Sequence, residues 1–120
     1  MKNRTLVFGA SLKPYRYSNM AIQGLISQGE HVFAYGLNEG KISGVKIDTV
    51  LIFYDDIDTV TLYLNPKRQS DFYEYIVSLK PNRVIFNPGT ENPEFYSILK
   101  DNNICFEVAC TLTLIATNQY

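Results

Sequence analysis

Apolar and polar positions along this chain follow two rhythms that alternate. Thr5-Leu6-Val7-Phe8 is a short apolar run of the kind that fits a strand buried on both faces. From Ser18 onward Met20, Ala21, Ile22, Leu25 and Ile26 recur at helical spacing, and Gly29 follows as a stop. This predicts a helix over Ser18–Gln28 with the Ser18 hydroxyl as its N-cap. His31-Val32-Phe33-Ala34-Tyr35 is a second buried run, so strand, helix and strand make a right-handed βαβ unit. Gly9 to Tyr17 is the loop that joins its first two elements.

Gly36 to Gly44 is rich in glycine and polar residues and is predicted as a loop. An internal echo follows, Ile47-Asp48-Thr49-Val50 and Ile57-Asp58-Thr59-Val60, with Asp55-Asp56 between the copies. One reading is a hairpin of Val50–Phe53 with Thr59–Leu64. The favoured one makes only the second copy a sheet strand and leaves the first in an irregular crossover, which a third parallel strand needs.

The strands Thr59–Leu64 and Arg83–Phe86 end at Asn65-Pro66 and Asn87-Pro88. Proline there lacks a donor, restricts the asparagine before it and suits the first position of a helix that asparagine caps. Phe72, Tyr73, Ile76, Val77 and Leu79 give a helical face within Pro66–Lys80, closed by Pro81. Asn92-Pro93 opens a helix with Phe95, Ile98 and Leu99 inward, which ends near Asn102-Asn103. Ile104–Val108 is the last strand, and Thr111–Ala116 a final turn or helix.

The expected architecture is an α/β, Rossmann-like three-layer sandwich with a parallel sheet of about five strands. Ligands of such sheets sit beyond the C-terminal strand ends, where the strand order reverses. Gly9 to Ser18, Gly36 to Asn38, Asn65-Pro66, Asn87 to Asn92 and Ala109 to Thr111 should border that place.

The chain has 120 residues, 46% of them hydrophobic, which fits one domain with one core. The opening Met1-Lys2-Asn3-Arg4 lacks the apolar region of a secretory signal, and no apolar run is long enough to span a bilayer, so a cytoplasmic protein without membrane partners is expected. A net charge of -1 without basic runs argues against nucleic acid. Cys105 and Cys110 are read as reduced thiols; no cluster with metal-ligand spacing is present. Nine Tyr and seven Phe are a high aromatic load, for which a homodimer is one outlet.

The chemistry concentrates on the first loop. A buried strand, a small-residue turn and a helix start aim backbone N–H groups at one point, which suits phosphate; an ordinary strand-to-helix joint has the same outline. The spacing is not G-x-G-x-x-G, because neither later glycine follows Gly9. Ser11 and Ser18 can donate to phosphate or merely satisfy turn and helix-end groups. Arg16 is a candidate phosphate cation or a solvated arginine. Asn65, Asn87 and Asn92 read as caps first and ligand contacts second. Glu91 reads as a surface carboxylate before a base, and Cys110 as a small buried hydrophobe before a thiol that exchanges with a ligand. His31 enters its strand at the edge opposite the site, so no nucleophile–His–acid set is available and no catalytic residue is predicted.

Taken in order, Gly9-Ala10-Ser11 with Pro14 and Arg16-Tyr17-Ser18, then Asp58 to Pro66, then Asn87-Pro88-Gly89-Thr90-Glu91-Asn92, and Ala109-Cys110-Thr111-Leu112 resemble the stand-alone CoA-binding domain family over essentially the whole chain. These small bacterial proteins are similar to the N-terminal CoA-binding domain of the succinyl-CoA synthetase alpha subunit. The resemblance implies a Rossmann-like protein that binds coenzyme A or an acyl-CoA, with no assigned reaction. By position it implies a phosphate loop of Gly9, Ala10, Ser11 and Pro14, with Arg16 and Ser18 at the helix start. Gly36, Asn38, Asn65, Pro66, Pro88, Gly89, Thr90, Glu91 and Asn92 complete the implied site. The departure is Gly36-Leu37-Asn38-Glu39, where many members carry basic residues for the 3′-phosphate. Lys13, Arg16 or Lys41 are possible substitutes, and a ligand without that phosphate stays open. The alternatives are an NAD(P)-binding oxidoreductase-like protein and a nucleotide-free interaction module.

Overall fold

The computed structural model describes residues 3–120; Met1 and Lys2, part of the stretch read as leading into the first strand, lie outside the described residues. Among the described residues seven strands form one sheet. In chain order they are β1 (Arg4–Ala10), β2 (His31–Gly36), β3 (Gly40–Ile42), β4 (Val45–Asp48), β5 (Thr59–Leu62), β6 (Arg83–Phe86) and β7 (Cys105–Val108). Their spatial order is β3-β4-β2-β1-β5-β6-β7. Every neighbouring pair is parallel except β3 with β4. Five helices cover the faces: α1 (Tyr17–Ser27), α2 (Pro66–Gln69), α3 (Tyr73–Ser78), α4 (Pro93–Asp101) and α5 (Thr111–Ala116). A 3-10 turn, Ser70–Phe72, joins α2 to α3.

The period of two along β1 builds both halves of the core. Leu6 and Phe8 face one cluster, with Ile76 and Leu79 from the α3 side and Phe95 and Leu99 from α4. Val7 faces the other, with Ile22 and Leu25 of α1 and Ile115 of α5 packed on it. Gly24 lets α5 approach α1, because a Cβ there would sit 3.3 Å from Ile115 Cδ1. Burial on both faces is why the central strands read as continuous apolar runs.

The α/β Rossmann-like class stands, with seven strands in place of about five. Gly36 to Gly44 is not all loop, for its second half forms a hairpin. Ile42, Val45 and Ile47 turn inward and Lys41 and Lys46 outward, about a two-residue turn, Ser43-Gly44, with both φ values positive at 49° and 83°. The first echo copy supplies Ile47-Asp48 to β4, where they pair with Ala34-Tyr35 of β2. It is therefore a strand, against the favoured reading of an irregular crossover. Val50–Phe53 is irregular, so the alternative hairpin does not form either. The helix after Asn65-Pro66 is broken by its 3-10 turn, and β1 runs on through Gly9 to Ala10.

Candidate functional site

β2 and β5 flank β1 on opposite sides, so the strand order reverses at β1 and the C-terminal ends of these three strands open into one cleft. Its volume is about 470 Å³. Gly9 and Ala10 of β1, Tyr35 and Gly36 of β2, and Tyr63 and Leu64 beyond β5 form its floor.

Two glycines make that floor possible. At Gly36 a Cβ would lie 2.3 Å from the Ala10 carbonyl oxygen, where the β1–β2 register shifts by a bulge. At Gly9 φ is 99°, and a Cβ would press on Leu64 Cδ2 and the Tyr63 backbone, both at 3.2 Å. Gly9 thus serves its own backbone conformation and the contact with the β5 extension.

The loop above is shaped by local bonds. Ser11 Oγ accepts from the Lys13 amide at 3.2 Å, the Arg16 amide donates to the Lys13 carbonyl at 3.1 Å, and buried Asn19 of α1 donates from Nδ2 to the Ser11 carbonyl at 3.0 Å. The Ser11 hydroxyl oxygen thus helps form the turn, while its O–H is still able to donate. Ser18 is not the N-cap: that position belongs to Arg16, whose side chain makes no capping bond, and Ser18 is buried within the first turn. The Tyr17 and Ser18 amides have no partner among the described residues, which leaves two free donors at the α1 start in residues that line the cleft.

Lys13 and Arg16 from this loop and Arg68 from α2 line the cleft, and among the described residues no Asp or Glu does. Among the described residues none of the three cations is within ion-pair distance of a carboxylate. The Arg16 guanidinium lies 5.8 Å from the Tyr15 ring. The same cleft has an aromatic part. Tyr35 stacks on Phe8 with centroids 4.8 Å apart and meets Phe72 edge-on at 5.8 Å. Tyr35, Phe72 and Leu37 give the cleft an apolar side.

The Tyr63 hydroxyl is buried without a hydrogen-bond partner. Thr61 and Thr111 are near it but are engaged with each other at 2.8 Å, and Asn87 Nδ2 donates to Thr61 Oγ1 at 2.7 Å. Burial pushes the Tyr63 phenol up to about 12. Asn87 also donates to the Leu62 carbonyl at 2.9 Å and accepts from the Thr111 amide at 2.9 Å, tying β5, β6 and α5 together. Cys110, the N-cap residue of α5, lies outside the cleft lining. Burial raises its thiol, but the Thr113 amide and hydroxyl and the Leu112 amide outweigh that and hold it below its ordinary value.

Of the residues anticipated for the site, Gly9, Ala10, Ser11, Arg16, Ser18, Gly36, Asn38 and Pro88 line the cleft together. Pro14, Asn65, Pro66, Gly89, Thr90, Glu91 and Asn92 do not. Asn65 caps α2 through the Arg68 amide at 3.1 Å, and Asn92 caps α4 through Phe95 at 3.3 Å. Thr90 Oγ1 donates to the Asn87 carbonyl at 2.7 Å, and Glu91 accepts from the Gly89 amide at 2.8 Å. Buried Gln69 fastens this loop from outside, donating to the carbonyls of Leu64 at 2.9 Å and Thr90 at 2.8 Å. Sequence reasoning passed over Arg68, Tyr35 and Phe72. For Arg68 a signal existed: it is the third residue of a helix whose cap sits at a strand end.

The family model described as a CoA binding domain matches residues 3–116. A comparison with curated proteins returns no match. Among solved structures, an uncharacterised protein shares 40% identity over 100% of this chain and 99% of its own, with a TM-score of 0.96. A protein from Thermus thermophilus is 20% identical over 99% of this chain and 91% of its own, at a TM-score of 0.87. The dinucleotide-forming acetyl-coenzyme A synthetase 1 of Ca. Korarchaeum cryptofilum, solved in complex with phosphate and ADP, is similar in fold over 87% of this chain and 25% of its own, at 15% identity and a TM-score of 0.70.

Proposed function

This chain belongs to the CoA binding domain family, and from that premise we propose that its cleft holds coenzyme A or an acyl-CoA by the diphosphate, without turning it over. The observation that carries this reading is the gathering of Lys13, Arg16 and Arg68 around one cleft free of carboxylates, in a chain whose net charge is -1. Three cations at one cleft without a lining carboxylate suit a polyanion. The free Tyr17 and Ser18 amides add donors of the kind that helix starts offer to phosphate. The apolar wall of Tyr35, Phe72 and Leu37 suits the adenine ring or the pantetheine arm.

These residues fit such a ligand in charge, donors and apolar surface. When bound, coenzyme A would supply a thiol or thioester; the chain's own groups bind and orient it. No His, Cys, Asp or Glu lines the cleft, and the Tyr63 phenol, pushed up to about 12, stays protonated at neutral pH. That supports a carrier or sensor role over a catalytic one. The thiols of Cys105 and Cys110 are free, which fits a reducing, cytoplasmic setting. Among the described residues no helix is long and apolar enough to cross a membrane.

Thermal unfolding with and without coenzyme A, acetyl-CoA, NAD and NADP tests the reading. A ligand at a hundred times its Kd stabilises the native state by about 2.7 kcal/mol. The expected result is a raised Tm with coenzyme A and acetyl-CoA and none with NAD. A shift with NAD alone favours the oxidoreductase-like reading, and no shift with any nucleotide favours an interaction module.

A further inference from the structure

We propose that the cleft prefers a pantetheine-bearing adenosine diphosphate whose ribose carries no phosphate, so that dephospho-CoA binds at least as well as coenzyme A; this rests on the diphosphate reading above. In a sheet of this order, with the diphosphate at the start of α1, the ribose lies over the end of β2. A cation there accommodates a phosphorylated ribose, and a polar or acidic side chain matches free hydroxyls.

β2 ends here at Gly36, and Leu37 and Asn38 carry the cleft wall onward. Asn38 is exposed, and its amide has no hydrogen-bond partner among the described residues. An amide both donates and accepts, which suits a pair of hydroxyls. It cannot neutralise a group of charge near -2 at pH 7. The next residue, Glu39, adds a negative charge beside that spot.

Every basic residue near the end of β2 is otherwise placed. Lys41 is on β3, the outer edge of the sheet beyond β4, and does not line the cleft. Lys46 points outward next to Asp48, at 3.8 Å. Arg68 belongs to α2, the helix after β5, on the other side of β1 from β2 in the strand order, and is one of the three cations assigned to the diphosphate. Lys13 and Arg16 sit in the loop assigned to the diphosphate.

Calorimetric titration of the full chain with coenzyme A and dephospho-CoA, on the wild type and on Asn38→Arg, tests this. Dephospho-CoA is expected to match or exceed coenzyme A on the wild type. Asn38→Arg is expected to raise the affinity for coenzyme A about tenfold relative to dephospho-CoA, by adding a charge-assisted contact. The variant changes an exposed side chain, so its fold should be intact, which its thermal unfolding checks. Wild-type preference for coenzyme A beyond about twofold overturns the inference while leaving the diphosphate reading in place. So does an Asn38→Arg variant with an unchanged ratio. Failure of both nucleotides to bind overturns the diphosphate reading and this inference with it.

Discussion

Two loops at the same end of the sheet have nearly the same ingredients and opposite fates. Gly9 to Arg16 and Asn87 to Asn92 each follow a buried strand, contain glycine, proline and a hydroxyl, and precede a helix. In the second, Asn87, Thr90, Glu91 and Asn92 all spend their polar atoms on the chain itself. In the first, two amides at the start of α1 and two cations are left over. A loop that satisfies itself is scaffold, because buried polar groups are costly until paired. One that leaves donors and charges uncommitted at a concave surface has capacity for a partner.

The sharpest way to break the contrast is at the floor the open loop stands on. Gly36→Ala places a methyl against the Ala10 carbonyl at 2.3 Å, backbone that cannot swing away. The expected loss is about 3 kcal/mol of stability, read as a lower urea midpoint, with coenzyme A affinity falling too because β1 and β2 must part.

The closed loop should respond differently. Asn87→Ala removes three buried hydrogen bonds and leaves Thr61 and the Thr111 amide short of partners. About 2 kcal/mol of stability is expected to go. Coenzyme A affinity of the folded fraction should stay within about twofold, since Asn87 does not face the cleft. A large affinity loss with stability intact would mean that the second loop serves the site through more than Pro88, its one residue in the cleft lining among the described residues.

Much of this was legible before any coordinates, for reasons that are local. β1 and β6 are short apolar runs, and Asn92-Pro93 pairs a cap with a first-turn proline, which six residues of sequence display. The hairpin of β3 and β4 was missed because strands of 3 and 4 residues are too short for a period to show, and Ser43-Gly44 reads as well as loop as turn. Thr90 and Glu91 enter the expected site through the family resemblance; their bonds to Asn87 and Gly89 are local turn contacts that composition does not display. Arg68 was missed for the converse reason. Which side of α2 faces the cleft is set by how that helix lies on the sheet, a long-range property.

The smallest expected effect concerns the floor itself. Tyr63→Phe deletes a buried hydroxyl that has no partner, so a gain of about 1 kcal/mol is expected at pH 7. The wild-type phenol stays protonated in the native state up to about 12, whereas the unfolded one ionises near 10. The unfolded chain therefore holds fewer protons between those values, and stability falls as pH rises through them. Tyr63→Phe should flatten that fall in alkaline unfolding curves, although Tyr75, also pushed up to about 12, keeps part of it.

The claim at the centre is that unpaired cations on two sides of β1 grip one diphosphate. Titration of coenzyme A into the double variant Arg16→Ala/Arg68→Ala tests it most directly, both side chains being exposed and outside any ion pair among the described residues. A loss of about a hundredfold in affinity at an unchanged Tm is expected, about tenfold for each charge-assisted contact. Affinity within twofold of the wild type would contradict the account.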